Sequence, residues 1–398
     1  MRASARREAP SGAGEQTAEE ESQDAVGTSG ALPAGEVSGA AASNSVAYAS
    51  ASTTAAPGGK PRLRLGVLWV GGLALLLLSV AVTITIGPSD IRVTDVWGVV
   101  AEHLGWGGAT GLTPIREGIV WDLRLPRTVL AAVCGAGLGV CGAIMQSLLR
   151  NPLADPYVLG VSSGASTGAV LVVVLGVGGS AVTLPMGAFA GALLSFVLVL
   201  ALAYASGATN ERVLLAGVAG MQLFSALTSF IVMSSADAEQ TRGVLFWLLG
   251  SLANAGWTDV AFCAGALALA LLVCLAYAHH LDAFTFGQEA AAALGVSVRR
   301  VRLVLLVVTA LLTATLVSAA GAIGFVGLVL PHAARAIVGP GHRGLLPTTA
   351  LAGAVFLVWV DTVARTVLDP QDVPVGVVTS LIGVPCFAFI LHRSRSVR

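Results

Sequence analysis

The chain has 398 residues, 55% hydrophobic and 11% charged, with 48 glycines and equal numbers of basic and acidic side chains, 22 of each. Such a composition excludes an ordinary soluble domain and describes a polytopic membrane protein. Zero formal charge offers no electrostatic case for nucleic acid, so only the placement of charge along the chain carries information.

Residues 1–60 are rich in Ala, Gly, Ser, Thr and Glu and carry the acidic cluster Glu15, Glu19, Glu20, Glu21 and Asp24. A segment so poor in large apolar side chains cannot offset the entropy of ordering itself, and a disordered tail is expected. Its basic start is followed by no apolar run until about Leu65, unlike a secretory signal. Its only lysine, Lys60 in "APGGKPR", is the only one in the chain and is followed by Pro. No phosphate-cradling GxxxxGK[ST] loop exists, so any ATP that drives the protein must be hydrolysed by another polypeptide.

From residue 61 onward the chain reads as one membrane domain. Runs of the length that crosses a bilayer as helix lie near 65–87, 128–149, 156–176, 181–205, 212–233, 258–279, 302–320, 322–338, 345–366 and 374–392. The fold class expected is all-α, a polytopic membrane protein of ten spans with both termini on one side. Placing the tail inside puts sixteen Lys and Arg on the inner side and six outside, of 22 in all. That bias sets both termini in the cytoplasm and the protein in the cell membrane.

Between spans one and two, "WDLRLPR" (121–127) sets Arg124 and Arg127 at the outer end of span two, against the trend. "NPLADPYVLG" (151–160) then re-enters the membrane, Pro152 and Pro156 interrupting helix and Asp155 suiting the N-terminal end of span three. "GVSSG" (160–164) matches a nucleophile-elbow pattern, but it sits inside an apolar run and reads as small residues allowing close helix contact or a break. In the inner loop 280–300, Gln288 to Leu294 favours helix, Gly295 suits the position just past its end, and Ser297 suits the cap of a second short helix. Such a pair of short helices makes a docking surface. "GAIGFVGLVLPHAARAIVG" (321–339) places Gly324, Gly327, Pro331, His332 and Arg335 in one short span, which Pro331 kinks. Asp361 and Arg365 are spaced to pair across one turn near the outer end of span nine. Cys134, Cys141, Cys263, Cys274 and Cys386 all fall in apolar runs with no CxxC and read as small buried hydrophobes. No His, Asp and Glu cluster in the spans suggests a metal site, and no cofactor is expected on this chain.

Seven blocks in order carry a resemblance: "RLPR" (124–127), "GAIMQSLLRNPLADPYVLGVSSGAS" (142–166), "ERVLLAGVA" (211–219), "WLLGSL" (247–252), "FGQEAAAALGV" (286–296), "GAIGFVGLVLPHAAR" (321–335) and "DVPVGVVTSLIGVPCFAFIL" (372–391). Together they resemble the permease subunits of ABC importers for iron–siderophore complexes, haem and cobalamin, from about 65 to 392. The resemblance implies ten helices with an inverted five-helix repeat, a second permease copy or paralogue, two ABC ATPase subunits inside and a substrate-binding protein outside. It implies that Arg124, Arg127 and Arg365 dock the binding protein and that Phe286, Gly287, Gln288, Glu289, Leu294 and Gly295 couple to the ATPase. Asn210 and Glu211 fall where the family has its inner gate, although they differ in type from the Thr and Ser usual there. Asp372 stands where the family often has Glu. The expected function is a transport subunit, not an enzyme, moving an iron–siderophore complex by alternating access. Two rival readings make different demands on the sequence. A cation-coupled secondary transporter would need acids deep in the spans, and an intramembrane enzyme would have to use Ser162 or His332.

Overall fold

A computed structural model describes residues 61–395 apart from 88–90, 108–110, 208, 236, 286 and 369. The expected tail and Phe286 therefore lie outside the described residues. Among the described residues the regular structure is helical. In chain order the elements are α1 (Pro61–Thr85), α2 (Val93–His103), α3 (Pro114–Gly118), α4 (Leu125–Leu148), α5 (Val161–Val173), α6 (Leu184–Ala205), α7 (Asn210–Met233) and α8 (Ala238–Leu248). They continue as α9 (Trp257–Ala276), α10 (Ala278–Phe284), α11 (Gln288–Ala293), α12 (Val298–Ala320), α13 (Val326–Val338), α14 (His342–Thr366) and α15 (Val375–Arg395).

Seven helical stretches are long and apolar enough to cross a membrane: Leu63–Thr85, Pro114–Leu148, Leu184–Ala205, Asn210–Met233, Trp257–Ala276, Val298–Ala320 and His342–Thr366. Three shorter apolar helices, Val161–Val173, Val326–Val338 and Val375–Phe389, fall where the third, eighth and tenth runs were expected. α2 and α8 are additional: each has 11 residues, too few to span, and lies in what reads as loop.

The second run begins earlier than its hydropathy suggests. Pro126 cannot donate to the carbonyl four residues back, yet the helix continues through it because residues Ile119–Arg124 form a π-helical turn. α3, this turn and α4 make one 35-residue stretch, Pro114–Leu148. Arg124 and Arg127 consequently lie within a helix rather than at its end.

α4 is the most enclosed helix and packs against α14, α13, α9 and α12. Glycine makes this possible. A methyl group added at Gly135 would overlap the backbone of Gly353 on α14, and one at Gly142 the carbonyl of Gly327 on α13. α5 and α6 meet in the same way, Gly168 against Gly187 and Gly164 against Gly191. This confirms the close-contact reading of the small residues around "GVSSG", and Gly160, at φ +73, supplies the break just before α5. Cys134, Cys141, Cys263 and Cys274 are buried as expected, but Cys386 is exposed. The reason is its helix: α15 packs on α13 and α14 and leaves Leu381, Val384 and Phe389 exposed as well.

Candidate functional sites

The break between α12 and α13 is built from backbone strain and side-chain repair. α12 stops at Gly321, whose φ of +67 favours glycine, and Phe325 enters α13 from the same left-handed region at φ 67. The Tyr157 hydroxyl pins the break, donating to the Ile323 carbonyl and accepting from its N–H, both at 3.0 Å. Pro331 then leaves the Gly327 carbonyl without its helical donor. Gln146 of α4 replaces that donor, its amide Nε2 lying 3.2 Å from the carbonyls of both Gly327 and Leu328. Arg335 donates to the Gln146 Oε1, which fixes which way the amide faces. Of the residues expected here, Gly324 sits in the break, Gly327 and Pro331 are buried, and Arg335 turns inward to Gln146. His332 is exposed.

At the opposite end of α4, the expected docking arginines form a network. Arg127 Nε lies 3.0 Å from Asp361 Oδ1, and its Nη1 lies 2.7 Å from Asp372 Oδ2. Asp361 thus takes Arg127 as its ion-pair partner rather than Arg365 one turn along its own helix. Arg365 instead donates to the Thr83 carbonyl and to Thr362 Oγ1 at 3.3 Å, and Arg124 Nη1 donates to the Ile84 carbonyl at 2.7 Å. Thr83 and Ile84 are in the last turn of α1, whose carbonyls have no partner within the helix. Cationic side chains there satisfy the carbonyls and complement the helix dipole. Gly87 leaves room for this, since a side chain there would strike the Arg124 guanidinium. Arg124 is 8% exposed, and the Arg127 side chain is 13% exposed against 33% for Asp372.

The other end holds the segment expected to couple to an ATPase. α11 is the first of the two short helices expected in the 280–300 loop; Ser297, expected to cap the second, instead starts α12, which carries Arg299, Arg300 and Arg302, and a short helix that was not expected, α10, precedes α11. The continuous apolar run beyond Val301 lets that helix propagate where a short one would stop. Gly287 joins α10 to α11 at φ +108, and Gly295, at φ +82, follows the end of α11. Leu281, Phe284 and Ala291 are buried in the main core, while Glu289 and Leu294 face outward, Leu294 at 71% exposure. Gln288 opens α11.

The expected gate residues stand at the start of α7. Asn210 Nδ2 donates to the Leu149 carbonyl at 3.2 Å, tying α7 to the end of α4, and Glu211 is exposed. Between α4 and α5, Asp155 caps the turn Pro156–Leu159 through the Tyr157 N–H at 2.8 Å, the role expected of it. Burial pushes its carboxyl up, to about 6, against that bond's pull in the other direction. Alongside α15 and the 321–325 break runs an open, apolar groove of about 580 Å³, lined by Leu249, Ala322, Gly324, Gly376, Ser380 and Val384. Among the described residues no group of three or more His, Cys, Asp or Glu side chains is placed to hold a metal ion.

Sequence reasoning missed Gln146, Tyr157 and Trp121. The last forms a stack with His103 at 3.9 Å and accepts at its carbonyl from Trp257 Nε1 at 3.0 Å.

Comparison with known proteins places these features in a family. Residues 75–393 match the model of the FecCD transport family. The cobalamin import system permease protein BtuC of Halobacterium salinarum is 40% identical over 83% of this chain and 97% of its own. The iron(3+)-hydroxamate import system permease protein FhuB of Bacillus subtilis is 36% identical over 83% of this chain and 84% of its own. A solved structure described as an inward-facing conformation of a metal-chelate type ABC transporter superposes with a TM-score of 0.72 at 29% identity, covering 82% of this chain and 99% of that one.

Proposed function

Because the chain belongs to the FecCD transport family, the membrane subunits of ABC importers, we propose that it carries an iron–siderophore complex inward by alternating access. It is a multi-pass membrane permease that works with separate ATPase subunits and a substrate-binding protein. The observation that carries the chelate reading is the wide apolar groove beside α15, α8 and the 321–325 break. A large organic ligand wrapped around its metal needs a broad, weakly binding wall, not a cage of metal ligands. The spans offer the metal no group of three donors among the described residues, so it travels chelated. The 36% identity to an iron(3+)-hydroxamate permease supports a ferric siderophore, and the 40% identity to a cobalamin permease supports cobalamin as the second reading.

The Arg127 end faces outward in this reading, both termini are cytoplasmic, and α10 with α11 seats on the ATPase through Gly287, Glu289 and Leu294. ATP is used by those partner subunits, and the chain itself needs no cofactor. A second permease copy or paralogue closes the passage. Three guanidinium groups, Arg124, Arg127 and Arg365, face two carboxylates, Asp361 and Asp372, and leave the outer cluster net positive. The three guanidinium groups are bonded to Asp361, Asp372 and the last carbonyls of α1, so the net charge of the cluster steers and orients a binding protein's acids more than it holds them. Asn210 and Glu211 narrow the inner mouth at the start of α7.

The test is to purify the assembled importer and measure ATP-driven uptake of a ferric siderophore, haem and cobalamin in proteoliposomes. Uptake of the ferric siderophore alone is the expected result. Selective uptake of cobalamin or haem would replace it with that substrate, and uptake that ignores ATP but follows an ion gradient would overturn the importer mechanism.

A further inference from the structure

Beneath the coupling segment runs a hydrogen-bonded chain that neither the docking surface nor the groove uses, with His342 buried at its centre and the Asp282 carboxylate 38% exposed at one end. Asp282 lies on α10, His342 is the first residue of α14, and Ser147 lies in the last turn of α4. The Asp282 Oδ1 is 2.6 Å from His342 Nδ1 and 2.9 Å from the His342 backbone N–H. His342 Nε2 is 2.7 Å from Ser147 Oγ, which is 2.9 Å from the Ala143 carbonyl. A carboxylate only accepts, so Nδ1 carries a proton and donates it to Asp282. His342 is 1% exposed, and α10 packs directly on both α14 and α4.

The chain does not stop at Ser147. The Ala143 carbonyl that Ser147 reaches also lies 3.5 Å from Arg335 Nη2, and Arg335 holds Gln146, the residue before Ser147, which donates to the two α13 carbonyls around the Pro331 kink. One connected set of polar groups therefore runs from the coupling segment through α14 and α4 to α13. The polar chain ties the short α10 to α4 and α14 in one register, because breaking it leaves the buried His342 without a partner.

We propose that Asp282, His342 and Ser147 are positioning residues that transmit displacement of the α10–α11 segment to α4 and α14. They convert what the ATPase does at the surface into movement of the membrane helices. The proposal rests on α10–α11 being the ATPase-coupling segment.

The experiment uses the complete importer in proteoliposomes, with ATPase co-purification, ATP hydrolysis and ligand moved per ATP as separate readouts. In Ser147→Ala the ATPase stays bound and hydrolysis stays within two-fold of wild type, while ligand per ATP falls at least five-fold. Ser147→Thr, which keeps the hydroxyl, restores it. Asp282→Asn, which keeps the shape and loses the charge, lowers ligand per ATP as well, and the double variant is no worse than the poorer single one, as for two members of one chain. A merely structural role would lower the yield of folded complex and leave ligand per ATP unchanged. Wild-type ligand per ATP in Ser147→Ala and Asp282→Asn, or losses that multiply in the double variant, would overturn the proposal. Failure of the underlying reading looks different: Leu294→Asp would then leave the ATPase fully bound.

Discussion

Gln146 shows how much one side chain can do in a membrane. Removing its amide in Gln146→Leu leaves two α13 carbonyls without this donor and the Arg335 guanidinium with the longer contact to the Ala143 carbonyl, 3.5 Å away. The expected cost is about 1–3 kcal/mol, read as a lower unfolding midpoint in detergent, and Gln146→Glu recovers the Arg335 contact but not the donors. Tyr157→Phe removes one hydroxyl that makes two bonds to Ile323 and should cost a similar amount, again about 1–3 kcal/mol. Arg127→Ala is more severe. It strands Asp361, 1% exposed, and is expected to destabilise by roughly 3–5 kcal/mol, with Asp361→Asn in the same chain recovering part of the loss. The kink at Pro331 was legible because proline carries its own meaning. Its repair was not, because Gln146 lies 181 residues before Gly327, whose carbonyl it serves, and nothing local marks a glutamine as the donor that proline lacks. The arginines were legible as exceptions to the charge bias, but the carbonyls of Thr83 and Ile84 that accept from Arg365 and Arg124 appear only once α1 lies beside α14 and the start of α4.

Among the elements, hydropathy found the long helices because a bilayer demands a minimum length of apolar chain. It misplaced the start of the second run, since Asp122, Arg124 and Pro126 look like loop until the π-turn absorbs them. It passed over α2 and α8, whose 11 residues are too short for a spanning window. The small-residue contacts follow the same logic as the spans: Gly135→Val would force α4 from α14 and abolish folded protein, as judged by gel filtration. α11 was readable from helix formers ending at Gly295, whereas α10, which starts within the expected sixth span, was not read as a separate helix. Their outward face gives a milder test than Gly287, where any side chain is strained by the φ of +108 whatever the partner does. Leu294→Asp, at a 71% exposed position, is expected to leave the permease's own unfolding midpoint unchanged while reducing co-purified ATPase at least ten-fold.

Across the whole molecule, the proposed outward position of the Arg127 cluster makes a prediction about assembly. Asp372→Asn removes one of two carboxylates facing three arginines, and its 33% exposure keeps the change close to the surface. Capture of the binding protein at low salt should become faster, and the gain should vanish in about 1 M salt, where the screening length is about 3 Å. Unchanged capture rates would remove Arg124, Arg127 and Arg365 from the docking role. A larger constraint comes from the glycine contacts along α4. Where carbonyl meets Cα with no side chain between, neighbouring helices sit so close that an added methyl group would overlap the facing backbone. α4, α13 and α14 are thus fused into a single stiff wedge. Any opening and closing of this protein must rock the wedge as one piece, with flexure left to the non-helical residues at its margins.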